Sequence, residues 1–362
     1  MKGKNLFCGA LIICIFLFSA VLFSAAAGGT LPENDSGQGR VIGLVYHHFG
    51  EEDRYPSTSV SMEQFKAHLE YLNENDYKVL TLGRALELLY SDEPVPEKTA
   101  VLTMDDAYKS VMENAVPLLE EYGYKATVFV PTSHVGGSNY LSWKQLAELS
   151  EKGFELANHS HSHEYFLNYP EEEIGQRFEK DLEKSHLMFK ENLGITPDLY
   201  AYPFGEYHPD MIDVLKKHGY SAAAAQKSGV MYEQSDRFLL PRFPMNVNYG
   251  KIESFTEKAG MHALGVVESE PENPVVSDQN PPELKLLVKN QELSADGLQC
   301  FVSGRADCET EYERKDGTYE IRVVSKDKLK ARRTLYTITA PSEDGSKWFW
   351  YSHVWIMPEY GE

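Results

Sequence analysis

Cysteine is scarce in this chain, and basic residues are in the minority. Of four cysteines in 362 residues, Cys8 and Cys14 fall near the start, which leaves Cys300 and Cys308 for the rest. Two are too few for a zinc knuckle, and two this close in an oxidising compartment are expected to pair and close a small loop. Lys and Arg number 35 against 55 Asp and Glu, a formal net charge of −20, or near −22 once the positive charges of Lys2 and Lys4 are removed. That balance argues against nucleic acid or an anionic membrane surface as a partner. It suits a neutral or cationic polymer, or simple solubility. With 42% hydrophobic and 25% charged residues the chain is not disordered, and its length allows one large domain plus a smaller one.

The N-terminal segment stands apart. Lys2 and Lys4 precede an apolar run from Leu6 to Phe23, and Ala25, Ala26 and Ala27 supply the small residues of an export cleavage site. Residues 1–27 are expected to be a signal peptide or, because the run is long enough to span a bilayer, an N-terminal anchor. Either form places the remainder outside the cytoplasm, as a periplasmic, extracellular or membrane-anchored protein of the cell envelope. Residues 28–40, rich in Gly, Pro, Asn, Asp and Ser, read as a tether.

From Val41 onward, strand and helix signals alternate. Strands are expected at Val41–Tyr46, Lys78–Thr81, Ala100–Met104, Ala126–Val130, Phe154–Ala157, Leu199–Tyr202, Tyr220–Ala225 and Phe238–Leu240. Between them, capping boxes at Ser61/Gln64 and Ser142/Gln145 open helices. Helices are also expected at Gly83–Leu89, Val111–Tyr122, from Pro170 to Asn192, and at Pro209–His218. Such alternation means βαβ units and a parallel sheet, closed into a barrel or doubly wound, with its functional face at the carboxyl ends of the strands.

The chemically capable residues sit at those ends. Ala100–Met104 stops at Asp105 and Asp106, and neighbours on an extended chain point opposite ways, so one acid can hold a metal while the other takes a proton. About fifty residues on, His159 and His163 stand four apart, close enough to reach one ion from a single turn or tight loop. His47 and His48 end the first strand, and the Pro203–Phe204 turn follows another.

Thr103-Met104-Asp105-Asp106-Ala107-Tyr108 resembles the first motif of the NodB-type polysaccharide deacetylases (carbohydrate esterase family 4), and His159-Ser160-His161-Ser162-His163 resembles their His-Ser/Thr-x-x-His second motif. Pro117-Leu118-Leu119, Ala126–Thr132, Trp143 and Gly153-Phe154-Glu155 match as well, so the likeness covers roughly residues 41–250. It implies a distorted (β/α) barrel of seven or eight strands. It also implies Asp106, His159 and His163 as metal ligands and Asp105 as general base. In the branch that includes the exported poly-N-acetylglucosamine deacetylases, a Tyr-His pair supplies the general acid. Tyr46-His47 is similar to it, with His48 as the alternative. Tyr202-Pro203-Phe204-Gly205 is similar to the third motif, whose backbone N–H, here that of Phe204, helps form the oxyanion hole. Two departures stand out. Ala107 replaces the usual glycine, a change that a helix-like φ tolerates. The arginine common before the third motif is missing, so Arg242 is the candidate to orient Asp105, against the alternative of a surface arginine.

The resemblance thus implies a metal-dependent hydrolase that removes acetyl groups from an N-acetylhexosamine polysaccharide, poly-N-acetylglucosamine being favoured. Zinc fits the ligands, and cobalt, nickel or iron would satisfy them too. Tyr108, Trp143 and Tyr202 could line a sugar groove, Trp143 being equally placed for the core, while His134, His161 and His208 read as loop residues. Alternatives are a polysaccharide O-acetyl esterase and a non-catalytic glycan-binding or export-complex protein.

The deacetylase domain is expected over 41–265, followed by a Pro- and acid-rich linker, 266–282. Short alternating runs over 283–362, such as Tyr319–Val324 and Thr334–Thr339, suggest a small all-β, sandwich-like domain holding Cys300 and Cys308. In its aromatic strand, Trp348, Phe349, Trp350, Tyr351 and Trp355, one face is expected to be core and the other free for glycan or an envelope export partner.

Overall fold

The computed structural model describes residues 39–277, 279–303, 305 and 308–361. The export segment and most of the tether lie outside the described residues. Among those described, no helix is long and apolar enough to cross a membrane.

Seven parallel strands frame the larger part: β1 (Arg40–Tyr46), β2 (Lys78–Leu80), β3 (Thr99–Met104), β4 (Thr127–Val130), β5 (Glu155–Asn158), β6 (Leu199–Ala201) and β7 (Ala222–Ala224). They lie in the order β1-β3-β4-β5-β6-β7, with β2 alongside the first half of β3. Val230–Tyr232 pairs antiparallel with the start of β1, and Phe243–Pro244 pairs parallel with its end. The resulting nine-stranded sheet curls into a distorted barrel, the one of the two open arrangements that the family resemblance implied. Its central strands are largely apolar because helices cover one face and the barrel interior the other: every residue of β3 is buried. Gly43 in β1 is needed for close approach, since a Cβ there would meet Met231 Cε at 2.5 Å and the Pro241 carbonyl at 2.9 Å.

The helices α1 (Met62–Glu74), α2 (Leu82–Leu89), α3 (Val116–Glu121), α4 (Trp143–Glu151), α5 (Glu171–Leu193), α6 (Pro209–Lys217) and α7 (Ile252–Ala259) lie between or after the strands. Both capping boxes form. The helix expected over Val111–Tyr122 begins instead as a π turn, Val111–Ala115, and becomes α-helical only at Val116, next to Pro117, which has no N–H to give the preceding turn. Phe238–Leu240 is not a strand; only Leu240 bridges, to Ala224.

The remainder is all β. One four-stranded sheet holds His262–Ala263, Trp348–Ile356, Arg333–Pro341 and Gln299–Val302; the other holds Val266–Glu270, Glu283–Val288, Thr318–Ser325 and Cys308–Lys315. Leu284, Leu286, Val288, Ile321 and Val323 from one sheet meet Tyr336, Ile338, Phe349 and Trp355 from the other, giving a sandwich. Cys300 and Cys308 are bonded, 5.7 Å apart at Cα, and join a strand of each sheet. Val266–Glu270, inside the stretch read as a linker, is itself a strand paired with Glu283–Val288.

The second face of the Trp348–Ile356 strand corrects an expectation. Trp350 meets the Phe243 ring edge-on at 5.4 Å, and Val354 and Ile356 pack with Phe178, Tyr200 and Tyr202. That face is the seam between sandwich and barrel, so it is covered by the chain's own barrel and holds no open glycan surface; only Trp348, at the strand's start, is exposed.

Candidate active site

Strand ends deliver the reactive groups. β3 runs into Asp105 and Asp106, and the chain turns sharply there: Asp106 has φ 71° and Ala107 φ 52°. Ala107 is therefore left-handed, not helix-like as expected, which is why glycine would suit the position. Ser160, His163 and Phe204 also have positive φ, so the backbone is held in costly conformations at all three turns that meet here.

The turn brings the two acids into different surroundings. Asp105 is fully buried, and Arg242 grips it with both arms, Nη1 to Oδ1 at 2.7 Å and Nη2 to Oδ2 at 2.9 Å. Arg242 also donates from Nη1 to Thr103 Oγ1 and from Nε to the Ala225 carbonyl. It is fully buried, not a surface arginine. Burial alone would push the Asp105 carboxyl up; Arg242, with His159 and His47 nearby, outweighs it and holds the group below the usual carboxylate range. Asp105 is thus an anion at neutral pH.

Asp106 faces the other way, toward two imidazoles. Its Oδ1 lies 3.1 Å from His163 Nε2 and 3.5 Å from His159 Nε2, and the three side chains offer ligand atoms all within 4.8 Å of one another. The group fits a divalent ion. Asp106 Oδ1 is buried with no hydrogen-bond donor of normal geometry, and His159 donates Nδ1–H to the Ala201 carbonyl at 2.8 Å, which turns the Nε2 lone pair toward Asp106.

Helix α5 secures the histidine loop from behind. The buried carboxylate of Asp181 accepts the backbone N–H of His161 at 2.7 Å and of Ser162 at 2.8 Å, and Ser160 Oγ accepts that of His163 at 2.8 Å. Ser185 Oγ donates to Asn158 Oδ1 at 2.7 Å. Asp181 escapes a reading of the sequence because it looks like one more acid on a long acidic helix. Its only signal is its place beside Leu182 on the helix's buried face.

The first strand sends its two histidines apart. His47 remains partly open to the cleft, with Nε2 3.4 Å from Gln226 Nε2. Burial depresses its pKa, and Arg242 and His159 push the same way against the Asp106 and Asp105 carboxylates. His48 is buried, sandwiched between Tyr55 at 4.1 Å and Tyr108 at 3.7 Å. Tyr108 in turn stacks on Tyr140 at 5.1 Å, so an aromatic wall of Tyr55, His48, Tyr108 and Tyr140 flanks Asp106. Of that wall's tyrosines the sequence pointed only to Tyr108.

Phe204 sits opposite, with φ 58° and its ring 4.6 Å from that of His163. Gly205 makes the turn possible: its φ is +71°, and a Cβ would meet Gln226 Cβ at 2.3 Å. Two expected groove residues are elsewhere. Tyr202 is fully buried among Tyr200 and Tyr207, because its turn points it into the core, and has no face for a sugar. Trp143, at the start of α4, packs edge-on against Phe189 of α5 at 5.8 Å, leaving it the core role. His134 lies 5.7 Å from the His163 ring, His161 bonds Thr132 Oγ1, and His208 caps α6.

A family model described as polysaccharide deacetylase matches residues 92–223. The poly-beta-1,6-N-acetyl-D-glucosamine N-deacetylase of Staphylococcus aureus (strain MRSA252) is 28% identical over 208 residues, covering 54% of this chain and 71% of that protein. Among solved structures, the Streptococcus pyogenes deacetylase PplD in complex with acetate aligns with a TM-score of 0.56 at 21% identity, covering 61% of this chain and 99% of that one. IcaB from Ammonifex degensii aligns with a TM-score of 0.55 at 23% identity, covering 62% and 98%. At such identities the structures speak for the fold. The matched segment begins before β3 and ends at β7, so it contains both the acidic pair and the histidine loop. Residues 92–223, within the barrel, thus carry a polysaccharide deacetylase domain.

Proposed function

We propose that the chain hydrolyses N-acetyl groups from an N-acetylhexosamine polysaccharide, with β-1,6-linked poly-N-acetylglucosamine favoured, and needs a divalent metal to do so. One observation carries the reading: a buried carboxylate kept ionised by Arg242 stands next to an Asp-His-His group that fits one ion. The Staphylococcus aureus relative named for that polymer supports the substrate.

Asp106, His159 and His163 would hold the metal; the set suits zinc, and Co2+, Ni2+ or Fe2+ would bind it too. Bound there, a divalent ion supplies Lewis acidity toward water and toward the amide carbonyl. Asp105 takes the proton of the attacking water, its charge held in place by Arg242 rather than solvated. The Phe204 N–H donates to the oxygen on which negative charge collects, an interaction of the kind worth roughly 3 to 4 kcal/mol per donor elsewhere. His47 delivers a proton to the departing sugar nitrogen, so the products are acetate and an amino sugar. Tyr108, held in a stack with Tyr55, His48 and Tyr140, gives the pyranoses an aromatic wall to pack against. The apolar segment at the N-terminus, read as an export signal or anchor, and the Cys300–Cys308 bond, which an oxidising compartment preserves, both support a reaction outside the cytoplasm.

The test is acetate release from β-1,6-linked N-acetylglucosamine oligomers, with and without chelator and with zinc or cobalt restored. Release that chelation abolishes and metal restores is expected. Release from O-acetylated glycans only would replace the amide with an ester as the substrate bond, and release that survives complete metal removal would overturn the metal requirement.

A further inference from the structure

The turn that meets the developing oxyanion is gripped from outside the barrel. Phe204 has a left-handed backbone, φ 58°, which a bulky side chain adopts only when its surroundings impose it. Its ring stacks on Tyr165 at 3.6 Å, nearly parallel. Its carbonyl accepts Arg333 Nη1. Two residues on, buried Glu206 receives both arms of Arg332, Nε to Oε1 at 2.7 Å and Nη2 to Oε2 at 2.8 Å. The same guanidinium lies 4.2 Å from the centre of the Tyr165 ring, and its Nη1 donates to the Pro358 carbonyl at 2.9 Å. Arg332 and Arg333 both stand where the sandwich strand Arg333–Pro341 begins.

These contacts surround one turn. Arg333 bonds the carbonyl of Phe204, Arg332 bonds the side chain at the turn's end, and Arg332 also underlies the ring on which Phe204 stacks. Apolar packing alone would have docked the sandwich, since Trp350, Val354 and Ile356 already fill the seam. A bidentate, buried guanidinium–carboxylate pair adds fixed orientation, which lysine's point charge cannot reproduce.

We infer that Arg332 and Arg333 of the C-terminal sandwich are positioning residues for the hydrolysis, holding the Phe204 turn in its left-handed form with its ring against His163. The sandwich is thereby a working part of the active site. This inference rests on the deacetylase reading above, because the oxyanion donor is the group being positioned.

The experiment uses the chain with its sandwich intact and compares wild type, Arg332→Lys, Glu206→Gln and Val354→Ala. Arg332→Lys is expected to lower kcat for acetate release about 10- to 100-fold, the penalty of a misplaced catalytic group, with KM within about twofold. Metal stoichiometry, measured separately, stays at that of wild type. Glu206→Gln, which keeps an acceptor for one arm, falls between the two. Val354→Ala loosens the apolar packing of the same seam while leaving both guanidiniums and their partners in place, and is expected to lower the thermal midpoint while leaving kcat per folded molecule unchanged. In protein labelled with 15N-phenylalanine, the Phe204 amide resonance moves in Arg332→Lys. An unmoved resonance, or a kcat that falls equally in Val354→Ala and Arg332→Lys, overturns the inference. A wild-type chain that releases no acetate from any glycan tried sinks the deacetylase reading, which the Phe204 resonance does not report on.

Discussion

Asp105 and Asp106 are adjacent in sequence yet inhabit opposite electrostatic settings, and the difference is worked by their neighbours. Both oxygens of Asp105 are occupied by Arg242, whereas Asp106 Oδ1 is left to two imidazoles. Asp105→Asn therefore has two expected consequences. Turnover falls by roughly 10² to 10⁴, the range for losing a general base. Stability falls as well, by about 3 kcal/mol, because a buried guanidinium loses its counter-charge. Metal binding, which uses the other face, is retained. Kinetics per folded molecule, a denaturation curve and a metal titration together check the three parts; full activity in the variant removes Asp105 from the base role. At this scale the sequence was informative wherever chemistry depends on residue type and spacing, as with Asp106, His159 and His163. It was silent where geometry recruits an ordinary residue. Tyr55 and Tyr140 join the wall through stacking, Gln226 reaches His47 from the loop after β7, and Ala107 shows its left-handed φ only in three dimensions.

Elements with a strong period were legible, and those that depend on partners were not. The capping boxes at Ser61 and Ser142, the apolar runs of β1, β3 and β4, and the long helix α5 follow from local sequence. The two- and three-residue strands Val230–Tyr232 and Phe243–Pro244 exist only because β1 offers them an edge, and α7 went unrecognised in a stretch with few apolar positions. Helix α5 does more than cover the sheet. Through Asp181 it fixes the backbone amides of His161 and Ser162, between His159 and His163, so it sets the angle at which both rings approach Asp106. Asp181→Asn cannot accept both amides equally well, since its amide nitrogen is a donor. The expected result is a metal affinity about 10- to 100-fold weaker, as when groups behind metal ligands are changed elsewhere, with the helix still formed. Titration of the apo chain with zinc, read by calorimetry beside a circular dichroism spectrum, decides it; an affinity equal to wild type means that the loop holds its shape without this carboxylate.

Barrel and sandwich are built as one molecule, and buried histidines tie that whole to pH. His68, on α1, donates Nε2–H to the Gly250 carbonyl at 2.7 Å while Nδ1 faces the Tyr46 hydroxyl at 3.1 Å. That arrangement suits the neutral ring, because a second N–H would point at a hydroxyl that must then turn away. Burial is the main reason the pKa of His68 drops to about 4, and the same cause takes His353, in the seam strand, to about 3, with Lys227 adding to it. In the unfolded chain both titrate near 6.5. Above that pH neither form binds the proton and the folded state keeps its full advantage. As pH falls from about 6.5 toward 4, the unfolded chain takes up protons that the folded chain refuses, so stability declines by up to about 1.4 kcal/mol per pH unit for each histidine. Urea denaturation at intervals from pH 7 to pH 4.5 should show the midpoint falling with pH in wild type and falling less steeply in His68→Gln, by about one proton's worth of slope. Parallel slopes in the two proteins would mean that His68 is protonated in the folded state over this range, and that the hydrogen bond to Gly250 is kept by the imidazolium.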